Sequence, residues 1–295
     1  MRPKDDDLVT VHSMMKEMTL QEVQQVSLEI LKDVHRFCEA NGINYTLFGG
    51  TMIGAIRHKG FIPWDDDVDI AMPRPDYERF LKMYQSEKGY KLFASGSKEN
   101  FLAFSRVCEM EKTSAVNVKM PWANQPTGVW IDIFPLDGAP DDEKECELLL
   151  EKLRWHWRKS CYARTAKSPL SARKGGADKL KTCVKKLVYN DWFITPQRVI
   201  SHYNQTASKI PWRATGHFWN CSYLRYGMKE YQEMSDYTST VLVPFEDAMF
   251  RVCNGYDHFM RTKYGDYMQL PPEDKRKSNH ALCSYYWREQ GKEQQ

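Results

Sequence analysis

The apolar positions of this chain first fall into a regular order after residue 18. They recur every three or four residues, which predicts a helix with one apolar face, and they are Val23, Val26, Ile30, Val34 and Phe37. Thr19 and Glu22 stand in the T-x-x-E form of a capping box, and Gly42 stands where a C-terminal cap belongs. We therefore predict a helix between these caps, preceded by a loose segment over 1–18.

The rest of the chain alternates between strand-like and helix-like patterns. Runs rich in apolar and β-branched residues predict strands over 43–48, 68–72, 129–134, 216–224 and 238–243. Helical spacing predicts helices over 51–57, 75–84, 141–166, 179–188, 196–208 and 246–264. This mixture indicates an α/β or an α+β fold, of which we expect α+β. The loop 169–176 (PLSARKGG) is the best linker candidate, so we divide the chain into a core over 19–168 and a mainly helical part over 169–295 that completes the site.

Composition narrows the class of protein. The chain has 295 residues, of which 42% are hydrophobic and 13% aromatic, and this excludes disorder as a description of the whole. No run of 18 uncharged apolar residues occurs, and the first residues lack the apolar segment of a secretory signal. None of the eight cysteines forms a C-x-x-C pair, which argues against a structural zinc site. We expect a cytoplasmic protein with reduced cysteines.

The charge is unevenly distributed. Residues 154–186 contain eleven Lys and Arg but a single Asp, although the whole chain has a formal charge of only +3. Such a block can be a solvated helical surface, or it can dock an anionic partner: a phosphorylated polymer, a lipid-phosphate carrier or a membrane face. We find no nucleic-acid recognition motif, so nucleic acid is not an expected partner.

The chemistry concentrates in an acidic strand. Asp67 and Asp69 are two positions apart, so their side chains share one face of the strand, and Asp65 can join them. Carboxylates this close repel one another unless a cation lies between them, and ligand sets made only of oxygen suit Mg²⁺ or Mn²⁺. An acidic surface turn is the plainer alternative. An EF-hand is excluded, because Ile70 stands where that loop needs glycine and Asp76 where it needs glutamate.

Asp132 supplies a second acidic position. It interrupts an apolar strand, where a carboxylate is costly to bury unless it is paired or binds a metal. If that strand neighbours 68–72, Asp132 lies against the face of Asp67 and Asp69. Pairing with an arginine, or capping of a loop, remains the alternative.

A glycine pair supplies a third element. Gly49 and Gly50 lie between a predicted strand and a short helix, where backbone N–H groups can approach a phosphate closely. Arg57, His58 and Lys59 add positive groups nearby. The chain has neither a GxxxxGK[ST] nor a GxGxxG motif, so a P-loop nucleotidase and a dinucleotide-binding fold are unsupported.

These segments resemble the LicD family, bacterial choline-phosphate transferases of the nucleotidyltransferase-fold superfamily. The resemblance is carried by GGTMIGAIRHKGFIPWDDDVDIAMPRPDYERF, WIDIFPLDG, VPFEDAM and KYGDYMQLPPEDKR. It covers roughly residues 25–280 and is weakest through the basic block. The superfamily pattern of a glycine pair, an Asp-x-Asp and a later carboxylate falls on Gly49–Gly50, Asp67/Asp69 and Asp132. The gap between Gly50 and Asp67 is longer than the superfamily usually shows.

The resemblance implies a nucleotidyltransferase-like small mixed β-sheet flanked by helices, a Mg²⁺ (or Mn²⁺) site and a CDP-linked donor. It implies transfer of a phospho-alcohol group, phosphocholine first, to a hydroxyl of a cell-surface glycan or its precursor, such as lipopolysaccharide or teichoic acid. Attachment of NMP, or transfer of phosphoethanolamine, ribitol phosphate or glycerol phosphate, are alternatives. The expected place is the cytoplasm, with peripheral contact at the inner face of the membrane through 154–186.

The expected roles divide the residues into three groups. The catalytic residues are Asp67, Asp69 and Asp132, and the metal ligands are these three with Asp65. The donor and phosphate contacts are Gly49, Gly50, Thr51, Arg57, His58 and Lys59.

Overall fold

The computed structural model describes residues 15–117, 128–166, 170, 175–189, 194–222, 224, 226–277 and 283–288. The α-helices in these ranges are α1 (Leu20–Asn41), α2 (Gly49–Arg57), α3 (Arg74–Met83), α4 (Glu143–Ala166), α5 (Gly176–Val188), α6 (Pro196–Ala207) and α7 (Tyr256–Tyr264). The strands are β1 (Lys16–Glu17), β2 (Thr46–Leu47), β3 (Asp69–Pro73), β4 (Lys91–Phe93), β5 (Ser105–Cys108), β6 (Thr113–Asn117), β7 (Trp130–Ala139), β8 (His217–Trp219), β9 (Tyr231–Glu233), β10 (Thr240–Phe245), β11 (Ala248–Cys253) and β12 (Cys283–Trp287). The α+β prediction is confirmed.

The main sheet is mixed and is organised around β7. Its order is β2-β3-β7-β5-β4, and β7 also pairs with β8, which continues to β9. Strands β3 and β7 are parallel, whereas the other pairs are antiparallel. A second sheet has the order β1-β12-β6, and β10 and β11 form a hairpin. The parallel pair brings together two segments that are some sixty residues apart in sequence.

Helix α1 has the caps that the sequence predicts. The Thr19 N–H donates to Glu22 Oε2 at 2.8 Å, and the Glu22 N–H donates to Thr19 Oγ1 at 3.2 Å. Gly42 ends the helix in the left-handed conformation, with φ +58°. The inward face of α1 packs into the larger apolar core beside the main sheet. A smaller core joins α4, α6 and β8.

Two predicted segments differ from the structure. The helix predicted over 246–264 is wrong in its first half, because Ala248–Cys253 is strand β11 and the helix begins at Tyr256. Glu246, with φ +55°, makes the turn of the hairpin, and alternate side chains of β11 are buried at Phe250 and Val252. That alternation is the period of a strand. The predicted loose segment contains strand β1, which pairs with β12.

Other sequence predictions concern two strands, the linker, the cysteines and membrane-spanning helices. The predicted strands 43–48 and 216–224 shorten to β2 and β8. The linker predicted over 169–176 lies mostly outside the described residues, and the division of the chain at that point stays a prediction. All eight cysteines are free thiols. In the part of the chain that the structure covers, no helix combines the length and apolar character needed to cross a membrane.

Candidate active site

The two acidic strands meet as neighbours in register. Asp69, the first residue of β3, lies directly opposite Asp132 of β7. The Asp132 N–H donates to the Val68 carbonyl at 2.9 Å, and the Asp69 N–H donates to Thr51 Oγ1 at 2.8 Å. Both carboxylates therefore start from fixed backbone positions, and the buried Thr51 hydroxyl ties helix α2 to the same strand.

The glycine pair lies immediately against the carboxylates. Gly49 has φ +56°, and a Cβ placed there would lie 2.6 Å from Asp69 Oδ2. A Cβ on Gly50 would lie 2.5 Å from Asp65 Oδ2. Both distances are far below van der Waals contact, so the space that side chains would occupy here is taken by the two carboxylates. The pair also begins α2, where backbone N–H groups and the helix dipole favour negative charge.

Burial and the negative charges of the neighbouring carboxylates both raise the pKa of Asp69. Burial raises the pKa of Asp69 well above its usual range, and the negative charges of Asp67, Asp132 and Asp65 raise it further. Lys263 opposes this shift. Asp65, Asp67, Asp69 and Asp132 thus form one electrostatic group, which we call the acidic group, although they come from two separate stretches of chain.

Asp132 already has a partner. Arg106 Nε of β5 donates to Asp132 Oδ1 at 2.7 Å, and the guanidinium lies 4.3 Å from the Trp130 ring centroid. Burial opposes the charge of Arg106, but Asp132 outweighs burial and the pKa of Arg106 is raised. The arginine pairing that the sequence left open therefore occurs, and it occurs within the acidic group.

Lys263 is a residue that the sequence analysis missed. Its Nζ lies 2.6 Å from Glu230 Oε1, with both side chains almost fully buried, and 4.3 Å from the ring centroid of Phe48. Phe48 is the residue before the glycine pair, so a buried cation stands beside the acidic group. In the sequence, Lys263 stands in the segment KYGDY, and nothing in that segment predicts that its lysine is buried.

The loop that carries the acidic residues is held from two sides. Glu246 Oε1 accepts the Phe61 N–H at 2.8 Å, and the Glu246 N–H donates to the Lys59 carbonyl at 2.8 Å. On the other side, Gln24 Nε2 of α1 donates to the Asp65 carbonyl at 2.8 Å. These bonds fix the connection between α2 and β3, and with it the position of Asp65.

The predicted cations Arg57, His58 and Lys59 lie at the other end of α2. That helix begins at Gly49, so Arg57 is roughly 10 Å along the axis from the glycine pair. Arg57 Nη1 donates to the Tyr267 carbonyl at 2.6 Å, and its Nε contacts His58 Nε2 at 2.9 Å. Lys59 Nζ donates to the Ile56 carbonyl at 3.1 Å. Burial and then the charge of Arg57 lower the pKa of His58, so His58 is not the positive group that the sequence predicts. Arg57 and Lys59 bind nearby backbone carbonyls.

A cleft of about 540 Å³ lies along the side of α2. Its walls include a basic and aromatic set of side chains, namely Arg57, Trp64, Tyr264, Tyr267 and Arg276. The Arg276 guanidinium lies 5.8 Å from the Trp64 ring centroid. Trp64 directly precedes Asp65, so the cleft adjoins the acidic loop and offers room for part of a ligand.

Whether these residues suit a metal can be judged from their chemistry. In the described ranges, no three His, Cys, Asp or Glu side chains are already arranged as a coordination shell. The acidic group nevertheless brings oxygen ligands to the partly buried carboxyl of Asp69, whose pKa is raised by desolvation and then by its like-charged neighbours. A hard divalent cation relieves that repulsion, and its preferred ligands are oxygens. The residue types therefore fit Mg²⁺ or Mn²⁺.

Comparison with known proteins gives two kinds of similarity. The family model described as LicD/FKTN/FKRP, nucleotidyltransferase domain, matches residues 42–177. The lipopolysaccharide cholinephosphotransferase LicD of Haemophilus influenzae is 34% identical over an alignment of 287 residues that covers 92% of this chain and 99% of that protein. The ribitol 5-phosphate transferase FKRP of Homo sapiens is 36% identical over 66 residues, 21% of this chain and 13% of that protein.

Proposed function

This chain belongs to the LicD family, and from that membership we propose that it is a phosphotransferase. It moves a phospho-alcohol group, phosphocholine first, from a CDP-linked donor to a hydroxyl of a cell-surface glycan or its precursor. Similarity to the Haemophilus influenzae lipopolysaccharide cholinephosphotransferase along nearly the whole chain supports the group and the acceptor class. The observation that carries the proposal is the register of Asp69 against Asp132 beside the glycine pair.

The proposed cofactor is Mg²⁺, or Mn²⁺ in its place. Asp65, Asp67, Asp69 and Asp132 would hold it, because the charges of the other three act on Asp69, and Asp69 and Asp65 lie against the glycine pair. When bound, such a cation neutralises charge on a diphosphate and on the nucleotide that leaves it.

The chain's own groups have distinct tasks in this proposal. The N–H groups at the start of α2 favour the anionic donor, since a helix N-terminus attracts phosphate. Asp69 or Asp132 accepts the proton of the attacking hydroxyl, because these residues lie directly opposite one another on β3 and β7. Arg106 keeps the Asp132 carboxylate oriented and offsets part of the negative charge. Catalysis of this type depends mostly on positioning and electrostatics.

Two features of the reaction need a direct test. The similarity to the ribitol 5-phosphate transferase FKRP favours ribitol phosphate as an alternative group. A nucleotidyltransferase would use the same carboxylates but would cut the other side of the diphosphate and attach NMP to the acceptor.

The experiment combines binding with product analysis. CDP-choline, CDP-ethanolamine, CDP-ribitol and CDP-glycerol are each added with Mg²⁺ or with EDTA, and the melting temperature is measured. A donor that binds the folded protein raises this temperature by mass action. We expect CDP-choline with Mg²⁺ to give the largest rise in melting temperature. We also expect free CMP to be released from CDP-choline when lipopolysaccharide lacking phosphocholine is added as the acceptor. A CMP-labelled acceptor would identify a nucleotidyltransferase, and no stabilisation by any CDP compound would contradict the donor assignment.

A further inference from the structure

Helix α5 presents its apolar residues to solvent. Leu180, Val184 and Leu187 are 67%, 53% and 73% exposed, and Val188 is 44% exposed. The buried residue of this helix is instead Thr182, at 2%. The sequence pattern alone would place the leucines and valines inward, so the helix is turned with its apolar side away from the protein.

The exposed residues form one continuous strip. At about 100° per residue, the four apolar side chains fall within an arc of roughly 100° on the helix surface. Thr182 falls on the opposite side, where α5 packs against α4. The strip is therefore the face of an amphipathic helix and not a scatter of isolated surface residues.

Positive charge lies on both flanks of the strip and is closest on one of them. Lys181 lies about 20° beyond Val188 on one edge, whereas Lys179 lies about 80° beyond Leu187 on the other, and both lysines are exposed. Lys185 and Lys186 lie further round towards α4, and the Lys185 ammonium is 4.8 Å from the ring centroid of Tyr162. The only acidic residue of α5 is Asp178, in its first turn. The face combines apolar and cationic groups with almost no negative charge.

We propose that α5 docks on the surface of an anionic lipid bilayer, with the strip at the level of the acyl boundary and its lysines among the headgroups. A basic amphipathic helix gains on such a surface from both apolar burial and attraction to anionic lipid. A soluble polyanion would use the lysines but not the strip. A second copy of the chain would cover the strip but would bring two sets of lysines together. The bilayer satisfies both features, and the inference does not depend on the proposed reaction.

The test measures co-sedimentation of the whole protein with vesicles. Vesicles of equal parts phosphatidylglycerol and phosphatidylcholine are compared with vesicles of phosphatidylcholine alone. The variant Leu180→Ser/Leu187→Ser removes apolar groups, and Lys179→Gln/Lys181→Gln removes charge. Their matched controls are Val241→Ser/Leu242→Ser on the exposed hairpin and Lys82→Gln/Lys98→Gln on another surface. Circular dichroism checks that every variant is folded.

We expect the wild type and both controls to bind the anionic vesicles far more tightly than the neutral ones. The serine variant should weaken this binding by about tenfold or more, since each lost methylene no longer leaves water. The glutamine variant should weaken it about tenfold or more, and added salt should reduce that difference. Equal vesicle binding by the wild type and the serine variant would overturn the proposal. So would a concentration-dependent dimer that the serine variant abolishes, because α5 would then be an interface between copies.

Discussion

The acidic group beside α2 and the apolar strip on α5 depart from ordinary burial in opposite directions. In the first, the charges of three carboxylates act on a fourth, the partly buried Asp69. In the second, leucines and valines stand in water while a threonine is buried. Each arrangement is unfavourable in free energy by itself, because burying charge and exposing apolar surface to water both cost free energy.

The two regions lack partners of different kinds. Close to the acidic group the protein already supplies cations from its own chain, Arg106 at Asp132 and Lys263 beside Phe48. The crowding of carboxylates on Asp69 remains, which favours a cation from outside the chain. The strip on α5 has lysines beside it, and its apolar side chains are exposed. The first region therefore indicates a small charged ligand and the second an extended surface.

The largest expected effect is on activity, from removal of a carboxylate of the acidic group. Asp69→Ala or Asp67→Ala should lower kcat/KM by roughly 10²–10⁴, as removal of a major electrostatic element does in other enzymes. The measurement is CMP release from CDP-choline in the presence of Mg²⁺, with melting temperature as the check on folding.

The matched control is Asp66→Ala in the same acidic run. After burial, the charge of Asp66 raises the pKa of Cys283 and, together with that of Asp67, the pKa of Tyr285 on β12, whereas the charges of Asp65 and Asp67 raise the pKa of Asp69. We expect Asp66→Ala to keep activity within a fewfold of the wild type. Near wild-type rates in a folded Asp69→Ala would discard the site, and equal losses in all variants would mean that the run acts only through its overall charge.

The next effect is on stability, at the buried pair beside the acidic group. Lys263→Met leaves the Glu230 carboxylate buried without its partner, and this should lower the free energy of unfolding by about 3–5 kcal/mol. Burial already raises the pKa of Glu230 even with Lys263 present. Urea unfolding of the purified variant measures the loss.

A double variant separates pairing from packing. In Lys263→Met/Glu230→Gln both charges are gone, so most of the lost stability should return. If the double variant is as unstable as Lys263→Met, the lysine acts mainly through its contacts with the rings of Phe48, Tyr226 and Tyr264.

Local signals predicted much of the fold and of the acidic group. The capping box at Thr19 and Glu22 and the cap at Gly42 depend on neighbours in sequence, so they can be read without knowing the fold. The meeting of Asp69 with Asp132 follows from placing two buried strands side by side. The pairing of Asp132 with Arg106 was one of two alternatives, because no local pattern says which strand lies on the far side of β7.

Other features depend on tertiary contacts that no local pattern contains. The sequence pattern predicts helix at strand β11 because its apolar residues run on into those of α7, whereas the turn at Glu246 depends on the Lys59 carbonyl from a distant loop. The burial of Lys263 depends on Glu230. The rotation of α5 is the clearest case, since its periodicity gives an apolar face but not whether that face meets protein or solvent.

The smallest expected effect contrasts two leucines on neighbouring helices. Leu153 of α4 is fully buried, and Leu153→Ala should lower the free energy of unfolding by about 2–5 kcal/mol through lost burial and a cavity. Leu180 of α5 is 67% exposed, so Leu180→Ala should change it by no more than about 0.5 kcal/mol. Alanine has a helix propensity at least as high as that of leucine, so neither substitution destabilises its helix through propensity. Urea unfolding at two protein concentrations measures both. A loss above about 1 kcal/mol for Leu180→Ala would show that the strip is already covered, by the protein itself if the loss is independent of concentration and by a second copy if it is not.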